Sequence, residues 1–307
     1  MKTAFVYAGQ GSQHVGMGYD LYTDLPVVKA RLDMAEDRFG GGLLEAMFKE
    51  GERLKKTACA QPAIYAMSVA VREAMKEEGF ESEGCAGLSL GEYAAFHDAG
   101  LYTFAEGFDL VRVRGRHMSD AAQREKTSLV ALIGGSDAVE ALLQRHPDCH
   151  VANRNLPMQT VVGGPVNAMA RLMEDVSSSG VKRAVPLAVE GAFHTPYMQT
   201  AADAFERHLE GVVLTPASKP LYLNLDGRLH ATVAKRDMTM QMTRPVRFFD
   251  MIATMLADGY TTFVEIGPGK TLSGLIRKID PDIVTLNIGT IVEFHETIRY
   301  LKGMSQR

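Results

Sequence analysis

Ser89 lies in Gly87-Leu88-Ser89-Leu90-Gly91, a G-x-S-x-G pattern. That spacing suits a nucleophile elbow, a sharp strand-to-helix turn whose small flanking residues relieve crowding and leave the serine hydroxyl exposed. The N–H of Leu90 is then placed to face an oxyanion. Downstream, Glu92-Tyr93-Ala94-Ala95-Phe96 reads as a helix with an acidic first turn, and upstream Gly84–Leu88 reads as a short strand. A serine nucleophile needs a base, and of nine histidines His194 is best placed. It stands in Gly191-Ala192-Phe193-His194-Thr195-Pro196, before a helix that Thr195 would cap and Pro196 would begin. Alone, each motif also fits a glycine turn or a surface histidine. Together they point to a nucleophile and its base.

Arg114 is the third unusual residue. The arginines of Leu110–Met118 look like a solvated basic face, but helical geometry groups Arg112 with Arg116 and sets Arg114 beside Leu110, Val111, His117 and Met118. An arginine on an apolar face needs an anion, either a structural glutamate or a substrate carboxylate held bidentately. Gln10 follows the first strand, at the carboxyl edge of a parallel sheet, where its N–H and that of Leu90 could form an oxyanion hole. Three other patterns fail. His14 stands where a dinucleotide fingerprint after Gly9-Gln10-Gly11 needs glycine, and Val264 where a P-loop ending at Gly269-Lys270-Thr271 needs its first glycine. His146-Pro147-Asp148-Cys149-His150 lacks further nearby ligands, so no metal is expected.

These residues need a frame. Thr3–Ala8, Gly84–Leu88 and Thr261–Ile266 read as strands, and Pro62–Glu78, Phe104–Ala122 and Leu272–Ile279 as amphipathic helices. That alternation predicts a parallel sheet covered on both faces. Between them, Ser128–Gly134, Ser136–Arg145, His150–Asn153, Thr160–Gly163, Val166–Ser178 and Lys182–Val185 read as β-α-β-β-α-β, the ferredoxin-like order. A large α/β unit (1–126 and 191–307) with an inserted smaller one (127–190) is therefore expected. The chain has 46% hydrophobic and 23% charged residues and a net charge of -4, with no basic excess for nucleic acid. No apolar run reaches membrane-spanning length and no signal peptide is evident. Three scattered cysteines fit a reducing cytoplasm.

In order and content, these motifs resemble the malonyl-CoA:acyl carrier protein transacylase family, including the acyltransferase domains of fatty acid and polyketide synthases. The resemblance runs nearly end to end through Gly9-Gln10-Gly11-Ser12-Gln13, Gly87–Tyr93, Arg114-Gly115, Ala152-Asn153-Arg154-Asn155, Gln159-Thr160-Val161, Ala192-Phe193-His194 and Glu265–Lys270. It implies an α/β-hydrolase-like core with a ferredoxin-like subdomain. Ser89 would be the acylated nucleophile, His194 its base, Gln10 and Leu90 the oxyanion donors and Arg114 the clamp on a malonyl carboxylate. Phe193 resembles the malonyl-selecting version of its motif. The family orients its histidine with a backbone carbonyl, and the matching segment is Arg244–Phe248, with Arg247 as the expected residue.

The resemblance further implies malonyl-CoA and holo-acyl carrier protein as partners, with CoA and phosphopantetheine thioesters as substrates and no cofactor. Neither nucleic acid nor membrane is expected, and the protein is expected to be a cytoplasmic monomer. Lys182-Arg183 and Arg277-Lys278 are candidates for docking an acidic carrier. Three departures stand out: Leu88 for the usual histidine, Arg154 for an aromatic residue and Arg247 for glutamine. Service to a polyketide assembly line in trans, or to malonate decarboxylase, stays open. Remoter alternatives are a serine esterase or thioesterase, which would usually place its histidine near the C-terminus, and a non-catalytic relative that only docks carriers.

Overall fold

The protein's structure, a computed structural model, describes residues 2–305. Its strands are β1 (Lys2–Tyr7), β2 (Gly84–Gly87), β3 (Thr127–Ile133), β4 (His150–Leu156), β5 (Gln159–Pro165), β6 (Arg183–Pro186), β7 (Leu221–Tyr222), β8 (Leu229–His230), β9 (Tyr260–Ile266) and β10 (Val284–Ile288). Among the described residues they form two sheets. The larger has the order β10-β9-β1-β2-β7-β8, parallel throughout except for the β7–β8 pair. The smaller is antiparallel, in the order β4-β5-β3-β6.

Side chains alternate across a strand, so β1 supplies two cores. Phe5 and Tyr7 pack with Ile64, Met67 and Val71 of helix Thr57–Glu77. Ala4 and Val6 point the other way, toward Phe248, Met251, Leu272 and Ile276. With both faces covered, β1 reads as an unbroken apolar run, as strands of buried parallel sheets do. In the smaller sheet Val130 and Leu132 pack against Val139, Leu142, Met169 and Leu172. Its other face, with Leu129, Ala131, Ala152 and Val161, turns toward Ala192. Backbone bonds from Arg154 N to Val246 O (2.8 Å) and from Val246 N to Ala152 O (2.9 Å) tie β4 to the segment before helix Phe248–Ala257.

Element bounds differ from the sequence reading in informative places. Helix Thr57–Glu77 begins a turn earlier than expected and carries Pro62 inside it, near enough to the start that few helical bonds are lost. Strands β7 and β8 span two residues each, too short for periodicity to register. Pro196 does open a helical turn, Pro196–Met198, after Thr195. The Thr195 hydroxyl, however, donates to the Ala192 carbonyl instead of capping.

Tyr7 pairs with both Gly87 and Ile266, so β1, β2 and β9 end level. The residues just beyond them, including Gln10 and Ser89, therefore gather along one edge. Helix Gly91–Asp98 then packs so close to β1 that a Cβ on Gly91 would lie 2.0 Å from the Tyr7 carbonyl oxygen. Among the described residues no helix is long and apolar enough to cross a membrane. Gly91→Ala is expected to destabilise the fold toward the upper end of about 1–3 kcal/mol. Urea unfolding checks this, and an unchanged midpoint would contradict the close approach.

Candidate active site

Ser89 sits where β2 turns into helix Gly91–Asp98, with φ +54°. That left-handed conformation strains a residue with a Cβ, and Asn224 holds it in place. Its Oδ1 accepts the Ser89 N–H at 2.7 Å and its Nδ2 donates to the Gly87 carbonyl at 2.7 Å. Asn224 is fully buried at the start of the β7–β8 turn. The turn thus clasps the elbow on the N-terminal side of its strained residue, and Gln241 Nε2 donates to the Ser89 carbonyl, at 2.8 Å, on the other.

His194 reaches Ser89 from the other sheet's return connection. Its Nε2 lies 2.6 Å from Ser89 Oγ, and its Nδ1 lies 2.6 Å from the Gln241 carbonyl oxygen. A carbonyl can only accept, so Nδ1 carries the proton and Nε2 is left to accept the serine hydroxyl. The orienting carbonyl is thus Gln241's and not, as the sequence suggested, Arg247's. Helix Lys235–Thr243 ends just before Pro245, and proline has no N–H to return to the carbonyl four residues earlier. Gln241 O is therefore free for the imidazole, and Met242 O accepts the His194 N–H at 3.1 Å. Arg247 instead donates its N–H to Asn224 O, and its side chain pairs with Asp250 at 3.4 Å on the surface.

Burial and the nearby Arg114 charge push the His194 pKa down to about 3, against the pull of the Gln241 carbonyl. The ring is a neutral base. Arg114 itself is completely buried, while Arg112 and Arg116 are exposed, as the helical spacing predicted. No carboxylate touches it among the described residues. Neutral amide oxygens take that place, Gln61 Oε1 at 2.7 Å and Gln241 Oε1 at 2.9 Å, and the Tyr93 ring lies 5.0 Å from the guanidinium carbon. Its Nε has no partner among the described residues. One terminal nitrogen lies 3.5 Å from Ser89 Oγ, so an anion attached to that oxygen falls within its reach.

Gln10 lies on the turn after β1, its side chain held by Thr57 Oγ1 at 2.9 Å and by Gln61 Nε2 at 3.2 Å. The backbone N–H groups of Gln10 and Leu90 have no partner among the described residues. A cleft of about 350 Å³ opens over Ser89 and His194, walled by Gln10 and Leu88 on one side and by Leu129, Asn153 and Val161 of the smaller sheet on the other. Phe193, 5% exposed, also lines it. Larger hollows of about 550 and 660 Å³ contain neither Ser89 nor His194, so size does not locate the chemistry. Lys182, Arg183, Arg277 and Lys278 are all exposed. Gln61, Asn224 and Gln241 were not singled out from sequence, and only the Gln241-x-x-x-Pro245 spacing offered a signal.

Residues 4–279 match the model of the acyl transferase domain family. The malonyl CoA-acyl carrier protein transacylase of Bacillus subtilis (strain 168) is 35% identical over 310 residues, covering 95% of this chain and 98% of that protein. The enzyme of the same name from Haemophilus influenzae is 33% identical, with 98% and 99% covered. Among solved structures, the malonyl CoA-acyl carrier protein transacylase of Clostridium perfringens superposes with a TM-score of 0.94 at 31% identity, covering 99% of this chain and 98% of that one. A malonyl-transacylase solved in complex with a type II polyketide synthase acyl-carrier protein gives 0.93 at 30% identity, covering 98% of this chain and 100% of that one. A serine paired with a neutral histidine, beside a buried arginine in a chain whose residues 4–279 match the family model, makes this protein a member of the acyl transferase family.

Proposed function

We propose that this protein moves a malonyl group from CoA to the phosphopantetheine thiol of an acyl carrier protein through a malonyl ester on Ser89. One observation carries the reading: Ser89 Oγ has a neutral imidazole nitrogen at 2.6 Å and a buried guanidinium nitrogen at 3.5 Å. The first activates the oxygen. The second recognises the far end of the acyl group, whose carboxylate carbon lies three bonds from Oγ in a malonyl ester.

His194 Nε2 takes the Ser89 proton as Oγ bonds to the thioester carbonyl carbon. The N–H groups of Gln10 and Leu90 donate to the oxyanion that forms. When the intermediate collapses the C–S bond breaks, and His194 returns its proton to the leaving CoA sulfur. The carrier's thiol then gives a proton to His194 and attacks the ester, and Ser89 recovers its hydrogen as the new thioester departs. Arg114 holds the acyl carboxylate through both halves and fixes the ester for the incoming thiol. The Phe193 ring leaves little room for a methyl branch. These steps need no metal or redox cofactor.

The larger sheet is read as an α/β-hydrolase-like core (1–126 and 191–307), and residues 127–190 as a ferredoxin-like insertion that supplies the far wall of the cleft. The strand order β4-β5-β3-β6 supports the latter. Lys182-Arg183 and Arg277-Lys278 are offered as carrier-docking cations on a cytoplasmic monomer.

Mixing the protein with malonyl-CoA should add one malonyl mass, and holo-carrier should remove it. Ser89→Ala abolishes the adduct; its persistence, or rapid turnover to free malonate with no carrier present, would refute transfer through Ser89. Arg114→Ala is expected to lower malonyl over acetyl preference by about ten-fold or more, the scale of a lost charged hydrogen bond. Equal selectivity in variant and parent would remove the clamp.

The acid limb gives a further check. A histidine titrating at 6.5 would lose roughly 20-fold in neutral base between pH 7 and pH 5, whereas His194, held near 3, stays neutral. Acylation rates from quenched-flow mass spectrometry should therefore stay level across that range. The same depression works against stability in acid. The unfolded histidine binds a proton below about 6.5 and the folded one only near 3, so stability falls as pH drops through this window.

A further inference from the structure

We propose that Glu92, acting through Gln241, is a positioning residue that sets the preference for a dicarboxylic acyl group. The inference rests on the reading of Arg114 as the carboxylate clamp. Glu92 is 2% exposed in the first turn after the elbow. Among the described residues it makes no ion pair. One of its oxygens accepts the Asn224 N–H and the other accepts Gln241 Nε2, at 2.9 Å. Burial pushes its pKa up, while the Asn224 N–H, Gln241 Nε2 and the Arg114 charge all favour the ionised form, and a donor already faces each of its two oxygens. A buried acidic group without an ion-pair partner is costly to keep. A glutamine would fill the same space without that cost.

The carboxylate does what an amide cannot, because it offers two acceptors to two donors. Gln241, itself 1% exposed, spends both amide hydrogens on acceptors, Glu92 Oε2 at 2.9 Å and the Ser89 carbonyl at 2.8 Å. Its own Oε1 is thereby turned to Arg114 at 2.9 Å. Were the amide rotated by half a turn, its NH₂ would meet the guanidinium and its oxygen would meet two acceptors. Glu92 thus helps choose which end of Gln241 faces Arg114. Gln61 Oε1 holds a different guanidinium nitrogen, at 2.7 Å, so the nitrogen nearest Ser89 Oγ depends on Gln241 alone for a fixed acceptor. An acetyl group uses Ser89 and His194 but has nothing to offer Arg114. A malonyl group uses all three. Losing the Gln241 orientation should therefore weaken malonyl transfer selectively.

The test compares kcat/KM for Ser89 acylation by malonyl-CoA and by acetyl-CoA in the intact protein. In Glu92→Gln one amide hydrogen must oppose either Asn224 N–H or the Gln241 NH₂, and turning Gln241 relieves the conflict. The malonyl-to-acetyl ratio is expected to fall about ten-fold or more, mostly on the malonyl side. Gln241→Met keeps the backbone carbonyl for His194 but removes the bridge, and it should lower the ratio similarly. The double variant should show no further loss, as expected for residues acting in series. Equal losses for both substrates in Glu92→Gln would mark a purely structural role and overturn the proposal, and so would additive losses in the double variant. If Glu92→Gln fails to fold by circular dichroism, Gln241→Met decides, and an unchanged ratio there refutes the proposal. A parent protein with no malonyl preference would instead overturn the clamp itself. Preference kept in both parent and variants overturns only the part assigned to Glu92.

Discussion

A guanidinium sealed from water has to be solvated by the protein around it, and much of the site follows from how this chain does so for Arg114. A carboxylate in contact would neutralise it and occupy the face meant for an anion. Two glutamine oxygens hold it in place while leaving most of its charge available. Dipoles stabilise a charge less than an opposite charge does, so the residue stays poised to gain from an incoming anion. The same charge, across a few ångströms, helps keep His194 unprotonated. Substrate recognition and general base catalysis are therefore coupled electrostatically before any substrate arrives.

The two reacting residues are also the two most strained in the site. Ser89 and His194 have φ of +54° and +62°, two of the three non-glycine residues with positive φ among the described residues. Each such conformation costs on the order of 1–3 kcal/mol and persists only where surrounding contacts over-determine it. Asn224 does this for the serine on the N-terminal side, through the Gly87 carbonyl and the Ser89 N–H, and Gln241 does so through the Ser89 carbonyl. The freed carbonyls at the end of helix Lys235–Thr243 do it for the histidine, one on its ring and one on its backbone N–H. Both supports come from chain segments far from the residues they hold. The nucleophile and its base are aligned by the closed fold, not by their own local sequence.

That dependence marks what could be read from the sequence and what could not. Strand β1 announces itself as an unbroken apolar run and helix Phe104–Glu125 through its local periodicity, and Arg114 stands out because its helical neighbours are apolar. The elbow is a local steric pattern, and so it too was legible. Gln241, Gln61 and Asn224 carry no local signature, since each acquires its role only when a distant segment folds against it. The misplaced histidine anchor shows the limit well. The expected segment, Arg244–Phe248, stops short of Gln241, because the free carbonyl is the one that Pro245 leaves without a helical partner, a question of where the helix ends.

The three departures from the family pattern separate on the same physical grounds. Arg154 turns to Glu140, 3.4 Å away at the outer edge of the smaller sheet, while its N–H joins β4 to Val246. Arg247 pairs with Asp250 and contributes only its backbone N–H, to Asn224. A change of side chain at either position leaves those backbone bonds in place. Leu88 is different, because it lines the cleft beside Ser89. A histidine there would bring a donor and acceptor to the mouth of the site; leucine brings neither and makes that wall apolar. Of the three, Leu88 alone meets whatever approaches the nucleophile, so any difference in acyl or thiol handling between this chain and relatives with a histidine traces first to that wall.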